Sequence, residues 1–305
     1  MAIDVGGTKI ASGLYLEDGS CLFRNRVPTP QDLRESCIDQ IADLVIESAG
    51  YLPSDCRLTA VGIAVPGWVQ QRAGTVWAPN IQGWDHIPLR DRLQGRLSAP
   101  LLLESDRSAY VAGEAWLGAA RGLEDVVFLA VGTGIGAGIL AGGRILRGYD
   151  DLAGAVGWMA LNPRFQELYA RMGCFETEAS GNSVGRKARD FKDPIAGQET
   201  TAKEVVAAAE AGDERARSIL DEVGIYLGMG VANLVSTLNP QMVVLGGGLI
   251  QGGGYLFAKL REEFRRWAQP FAAKRVRLEL SVLGEDAGLV GAAYLALNVA
   301  THCRD

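Results

Sequence analysis

Asp4-Val5-Gly6-Gly7-Thr8-Lys9-Ile10-Ala11-Ser12-Gly13-Leu14 and Val131-Gly132-Thr133-Gly134-Ile135-Gly136-Ala137-Gly138-Ile139-Leu140 decide the fold. In each, a short apolar run meets a glycine-rich turn and a second apolar run follows. Setting Val5 against Val131 matches Val, Gly, Ala and Leu at four positions. A repeated strand, glycine turn and strand predicts two related lobes, each giving a hairpin to a shared cleft.

Outward from the first copy, Ala2 to Val5, Ile10 to Leu16 and Cys21 to Val27 read as three β runs, broken by Gly6-Gly7 and Asp18-Gly19. Leu33, Cys37, Ile38, Ile41, Leu44 and Val45 recur at helical spacing, so a helix is expected over Gln31 to Ser48. A buried strand, Leu58 to Val65, precedes an irregular stretch rich in Gly, Pro and Trp. A helix over Pro88 to Leu97, the strand Leu101 to Glu104 and a helix over Ser108 to Leu117 follow.

Around the second copy, Val126 to Val131 is a strand, and Gly138 to Leu146 reads as a hairpin with a Gly142-Gly143 turn. Helices are expected over Ala202 to Gly212, Glu214 to Leu238, Tyr255 to Trp267 and Asp286 to Val299, with a strand over Met242 to Leu245. The small lobe is placed at 1–107, with a terminal helix over 287–305 packing back on it. The large lobe is placed at 108–286.

Composition narrows the function. An apolar share of 48% and a charged share of 22% fit a globular protein with a full core. A net charge of −6 without a long basic run argues against a nucleic-acid binder. Five cysteines, at 21, 37, 56, 174 and 303, form no CxxC pair, so a reducing cytoplasm is expected rather than a disulfide framework. No export signal is read at the N-terminus. The apolar stretch Ile225 to Leu238 is shorter than the roughly 20 residues that span a bilayer and reads as a buried helix, so no membrane partner is expected.

Asp4 to Lys9 offers backbone N–H groups, a hydroxyl and an ammonium to a phosphate. The same residues also make a tight hairpin in which Gly6 or Gly7 supplies a positive φ and Lys9 faces solvent. Gly132 to Gly138 satisfies the dinucleotide pattern GxGxxA, but a hairpin follows where that motif requires a helix. A second phosphate cradle, or a glycine-rich strand packed on a helix, accounts for it. Gly246-Gly247-Gly248 ends a strand before a helix, where a nucleotide can lie against the backbone or a plain turn can form. Asp106, closing Glu104-Ser105-Asp106, either takes a proton from a substrate hydroxyl or caps the helix behind it.

Together these pieces resemble the ROK family of bacterial sugar kinases and sugar-responsive repressors across essentially the whole chain. The resemblance is carried by Asp4 to Lys9, Val65-Pro66-Gly67, Pro79-Asn80-Ile81-Gln82-Gly83-Trp84, Glu104-Ser105-Asp106 with Gly113-Glu114, and Gly132 to Gly136. It implies a two-lobed, actin-like α/β fold with an interlobe cleft, in which Asp106 is the base. Asp4, Gly6, Gly7, Thr8, Lys9, Gly132, Thr133 and Gly134 would hold ATP phosphates with Mg²⁺, and Gly246 to Gly248 would lie near the adenosine. Gly67, Asn80, Ser105, Gly154, Trp158 and Glu176 would join Asp106 around the sugar. Relatives commonly form dimers or tetramers, so a homo-oligomer is expected.

The chain departs from the family in its sugar half. Where the family has Ala-Gly-Glu-x-Gly-His, this chain has Ala153-Gly154-Ala155-Val156-Gly157-Trp158, and Ser105 replaces Asn. Of the family's cysteine-rich zinc motif only Gly173-Cys174-Phe175-Glu176 remains, so no protein-ligated zinc is expected. An ATP-dependent sugar kinase is the first expectation. A degenerate relative sensing sugar or nucleotide without efficient catalysis is the alternative.

Overall fold

The computed structural model describes residues 1–30, 34–189 and 200–302. Gln31 to Leu33 at the predicted start of the first helix, and Cys303 with the end of the terminal segment, lie outside the described residues.

In chain order the elements are β1 (Ala2–Val5), β2 (Lys9–Tyr15), β3 (Cys21–Pro28), α1 (Arg34–Ala49), β4 (Val61–Val65), β5 (Trp68–Gln70), β6 (Thr75–Trp77), α2 (Leu89–Gln94), β7 (Leu101–Ser105) and α3 (Asp106–Leu117). Next come β8 (Val126–Val131), β9 (Ile135–Ala141), β10 (Arg144–Ile145), α4 (Tyr169–Met172), α5 (Cys174–Ala179), α6 (Gly181–Arg189), α7 (Ala202–Glu210) and α8 (Glu214–Leu238). Then follow β11 (Met242–Gly246), α9 (Gly248–Gln251), α10 (Gly254–Trp267), α11 (Pro270–Ala273), β12 (Arg277–Leu280) and α12 (Ala287–His302).

Two five-stranded sheets share one topology. The first runs β3-β2-β1-β4-β7 and the second β10-β9-β8-β11-β12. In each, the hairpin strands pair antiparallel and the last two strands join parallel. This is the duplication that the paired glycine turns predict, with one correction. Val5 pairs with Ile10 across a four-residue turn, but Val131 pairs with Ile135 across a three-residue turn. Ile10 therefore corresponds to Ile135, one position earlier than the sequence match. Both are buried, and burial fixes register because a one-residue slip turns every side chain to the other face.

The chain divides into two compact units: Met1–Gly122 with Arg147–Leu152 and the segment from Glu285, and Leu123–Leu146 with Ala153–Gly284. The division falls after Gly122 rather than at 107, because α3 packs along α12 and stays with the first sheet.

In the first unit, period-two alternation separates the faces of the sheet. Ile3, Val5, Ile63 and Val65 join the core that includes Ile38 and Ile41 of α1. The alternate positions, Ala2, Asp4, Gly62 and Ala64, are small or acidic and belong to the face covered by α12. A Cβ on Gly62 would lie 2.1 Å from the Ala292 carbonyl oxygen, and one on Gly291 only 1.7 Å from that of Ala109. Backbone therefore meets backbone where α12 crosses β4 and α3.

The second unit is built around α8. Ile219, Val223, Leu227, Val231 and Val235 are buried, and α5, α7 and α10 pack against it. Asp213 caps its start by accepting from Arg215 and Ala216 N–H at 2.9 and 3.0 Å, and Asn239, in the left-handed region, ends it. By length and composition α8 could cross a membrane, but its apolar face is spent on this core.

Some elements escape the sequence reading. The stretch after Pro66-Gly67 contains the hairpin β5–β6, whose three-residue strands are too short to show a period. Edge strand β12, with alternate residues exposed, is also missed. So are the short helices α4 to α6.

The close crossing makes a prediction. Gly291→Ala forces α3 and α12 apart and should cost about 1–3 kcal/mol, as overpacking does. Thermal unfolding should show a lower Tm. An unchanged Tm would mean that the helices do not meet at backbone contact.

Candidate active site

The turn between β1 and β2 is closed by Gly6 N–H donating to the Lys9 carbonyl at 2.8 Å. Thr29 clamps it, its hydroxyl donating to the Gly6 carbonyl at 2.6 Å and its N–H to that of Thr8 at 3.0 Å. Neither Gly6 nor Gly7 has a positive φ, so backbone conformation does not require glycine there. Close approach does. A Cβ on Gly6 would sit 2.9 Å from the Lys9 carbonyl oxygen, and one on Gly7 3.1 Å from that of Asn80. The loop and Asn80, singled out separately in the sequence, are thus neighbours. Lys9 is not a free solvent-facing cation, since its ammonium lies 2.5 Å from Glu285 Oε2.

Two carboxylates share the surroundings of this turn. Asp4 stands beside the first turn of α12, where a Cβ on Gly288 would lie 2.5 Å from its Oδ2. No hydrogen bond to the Asp4 carboxylate is found among the described residues. Burial first, and then the charge of Asp106, push its pKa up to about 7. Asp106 begins α3, but Ser105 holds the cap position and makes no side-chain capping bond. Asp106 Oδ1 accepts the Arg107 N–H at 2.8 Å and Oδ2 accepts the Tyr110 hydroxyl at 3.4 Å. Burial raises its pKa, partly offset by the Arg107 charge. Ser105 thus leaves the cap unfilled, while Asp106 itself accepts a first-turn N–H of α3 with one oxygen and keeps the other for the Tyr110 hydroxyl.

Gly67 joins the group through Arg107, whose Nη2 donates to the Gly67 carbonyl at 3.3 Å. Its φ of +86° and a Cβ position 2.2 Å from the Trp77 carbonyl oxygen make glycine obligatory. The first unit thus gathers Asp4, Gly6 to Lys9, Gly67, Asn80, Ser105 and Asp106 into one neighbourhood.

In the second unit, Glu176 supports the glycine turn from behind. Its Oε2 accepts Ile135 N–H at 2.8 Å, and a Cβ on Gly134 would come within 2.6 Å of the same oxygen. Burial raises the Glu176 pKa. A Cβ on Gly157 would lie 3.2 Å from the Glu176 side chain, so the short turn Val156–Trp158 rests on it too. Trp158 is 57% exposed. Gly154 is fixed by packing, with a Cβ position 1.9 Å from the Ala137 carbonyl oxygen.

A cavity of about 840 Å³ opens beside this turn, lined by Gly132, Thr133, Gly181, Thr200, Lys203 and Gly248 among others. A Cβ on Gly132 or Gly248 would meet no atom within 4 Å. Packing does not demand glycine at these two positions, and its effect is to leave backbone bare to the cavity. Gly246 and Gly247 differ, being pressed on the Phe128 ring and the Val131 carbonyl at 2.3 and 2.5 Å from their Cβ positions. Of the triple glycine, only Gly248 lines the cavity. Gly181 and Asn182 were missed in the sequence, although Ser180-Gly181 opens a helix. Gly181 N–H donates to the Gly132 carbonyl at 2.8 Å, which ties α6 to the turn.

Among the described residues no three His, Cys, Asp or Glu side chains are grouped to hold a metal. Cys174 is buried and its Sγ accepts Leu161 N–H at 3.4 Å. Around it a polar cluster fastens the segment that follows Trp158. The Tyr169 hydroxyl donates to Glu178, Asn162 Nδ2 donates to Tyr169 at 3.0 Å, and Lys187 pairs with Glu178 at 3.7 Å.

The ROK family model matches residues 1–299. A glucokinase of Halalkalibacterium halodurans is 32% identical, over 97% of this chain and 94% of that protein. An N-acetyl-D-glucosamine kinase of Escherichia fergusonii is 30% identical, over 97% and 98%. The crystal structure of a ROK family glucokinase from Streptomyces griseus, in complex with glucose and AMPPNP, superposes with a TM-score of 0.79 at 32% identity, covering 97% of this chain and 98% of that one. With two sheets of one topology, a partly buried carboxylate pair in the first unit and a glycine turn beside a cavity in the second, the chain belongs to the ROK family and is an ATP-dependent sugar kinase.

Proposed function

We propose that Asp106 is the general base of the phosphoryl transfer. The observation that carries this reading is a carboxylate where β7 passes into α3, near enough to Asp4 to raise that group's pKa, with its own pKa raised by burial and its Oδ2 accepting only the Tyr110 hydroxyl, at 3.4 Å, among the described residues. As the acceptor oxygen bonds to the γ-phosphorus, its proton passes to Asp106 and ADP departs with the bridging oxygen.

The residues present fit Mg²⁺ and ATP. Asp4 has no hydrogen-bond donor among the described residues and is pressed by a second carboxylate, so a divalent cation relieves both burial and repulsion. Mg²⁺, when bound with ATP, neutralises charge on the transferring group. Gly132 and Gly248 offer bare backbone to phosphate and adenosine, with Thr133 as an added donor. Gly6 to Lys9 supply the other phosphate turn, where Lys9 exchanges Glu285 for phosphate.

Family membership supports Gly67, Asn80, Ser105, Gly154, Trp158 and Glu176 as sugar contacts. Glu176 has one oxygen committed to Ile135 and the other left for a hydroxyl. Ala155 and Trp158 replace a carboxylate and an imidazole with a methyl and an indole, which suits fewer hydroxyls, an acyl substituent or stacking. Each lost charge-assisted bond is worth roughly 1.5–3 kcal/mol. We also infer a cytoplasmic homo-oligomer, dimer or tetramer, with no nucleic-acid or membrane partner. Exposed Trp267 and Phe271, at 56% and 74%, supply apolar surface for self-association, which light scattering would test.

ADP release measured over hexoses, N-acetylhexosamines, pentoses and polyols should find an acceptor better than glucose, for which kcat/KM should fall below about 10⁴ M⁻¹s⁻¹. Asp106→Asn should cut turnover on the best acceptor by about 10²-fold or more while the protein stays folded. Efficient glucose phosphorylation would remove Ala155 and Trp158 as the basis of specificity, and an active Asn variant would remove the base.

Asp4 makes a separate pH prediction. Its pKa in the folded protein is raised, so the folded state keeps a proton that the unfolded chain has already released between about pH 4 and pH 7. Stability is therefore lost as pH rises through that window. Asp4→Asn should be more stable than the parent at pH 8 by on the order of 2–4 kcal/mol, read as a higher Tm, with the gap closing towards pH 4. A gap independent of pH would show that Asp4 is not held protonated.

A further inference from the structure

Glu104 is 3% exposed and lies two residues before the base. Register puts it in one row with Asp4, since Asp4 pairs with Ala64 and Ala64 with Glu104. One of its oxygens, Oε1, accepts the Ser105 N–H at 3.0 Å. The other, Oε2, accepts two hydrogen bonds from Arg147, from Nε at 2.9 Å and Nη2 at 2.5 Å. A buried carboxylate held by a side-on guanidinium and a backbone N–H has little rotational freedom, and it stands where β7 turns into α3.

Arg147 opens a six-residue segment that is grouped with the first unit although its flanking residues on both sides are not. That segment is tied down along its length. Trp68 Nε1 donates to the Asp150 carbonyl at 2.7 Å, and Gln71 N–H donates to Asp151 Oδ2 at 2.9 Å. Gln71 Nε2 in turn donates to the Leu103 carbonyl at 2.8 Å, on the strand that carries Glu104. Asp151 itself has a φ of +58°, a conformation an aspartate keeps when its surroundings hold it there.

We propose that Arg147 and Glu104 are positioning residues that fix the Ser105–Asp106 corner, and with it the direction of the base, by anchoring the end of β7 to the 147–152 segment. The inference rests on the reading of Asp106 as the base. The two side chains are engaged with each other and with the Ser105 N–H, through whose backbone they act. A displacement of about 1 Å at such a corner costs on the order of 10²-fold in rate.

The test compares Arg147→Ala, Arg147→Lys, the double variant Glu104→Gln/Arg147→Met and Asp106→Asn, with the best acceptor from the sugar panel. Arg147→Ala should lower kcat by about tenfold or more while KM for ATP stays within about twofold. Lysine should restore only part of kcat, because an ammonium cannot make the side-on pair. The double variant removes the uncompensated buried charge and should recover Tm without recovering kcat, since nothing then anchors the corner. If kcat returns together with Tm, the pair serves stability alone and the inference is overturned. Full kcat in Arg147→Ala, in an enzyme that loses it with Asp106→Asn, overturns this inference and leaves the base in place. Full kcat in Asp106→Asn removes the base and this inference with it.

Discussion

The approach of α12 to the first sheet and to α3 without intervening side chains is the constraint on which the candidate site depends. Glycines at 62, 113, 288 and 291 each stand where a Cβ would lie within 2.5 Å of another atom. That contact brings the first turn of α12 against Asp4 and sets the axis of α3, which Asp106 heads. Two carboxylates on separate elements are thereby held in one partly buried environment. No hydrogen bond reaches the Asp4 carboxylate among the described residues, and the charges of Lys9 and Arg26 near Asp4 and of Arg107 near Asp106 offset burial only in part. Such an arrangement is costly for the fold, and it makes sense where a cation and a proton transfer are to be accommodated.

Much of the fold is legible in the sequence because the physics is local. The limits of α8 follow from Asp213 and Asn239, and the glycine turns with their flanking apolar runs give both hairpins. What is not legible depends on three-dimensional approach. Gly132 and Gly134 are the same letter two positions apart, yet one faces open cavity and the other abuts Glu176. Gly246 and Gly248 divide in the same way. The side of the division on which α3 falls is also hidden, because its partner α12 lies far along the chain.

The site shows the same limit. Asp106 could be picked out at a strand end, but only the structure shows that Ser105 holds the cap position without a bond and that Asp106 turns one oxygen to the helix and the other towards Tyr110. Arg147 carried no signal in sequence, being an arginine between Leu146 and Gly148 in a glycine-rich stretch. Its meaning lies in the buried Glu104 it meets. The family resemblance implies a sugar contact for Glu176, and one of its oxygens is committed to the backbone of the second glycine turn. The region where relatives would have cysteines is instead fastened by Tyr169, Asn162, Glu178 and Lys187, an arrangement no motif would announce.

Asp4 and Asp106, as an electrostatically coupled pair suited to a cation and a proton, are the feature on which the proposed chemistry turns. Carbon-13 NMR titration of the side-chain carboxyls, assigned with Asp4→Asn and Asp106→Asn, reads this directly. In metal-free protein Asp4 should titrate near pH 7, and its midpoint should fall when Asp106 is replaced by Asn and again when Mg²⁺ and a non-hydrolysable ATP analogue are added. An Asp4 midpoint near the ordinary carboxylate value of about 4, unmoved by either change, would contradict the account.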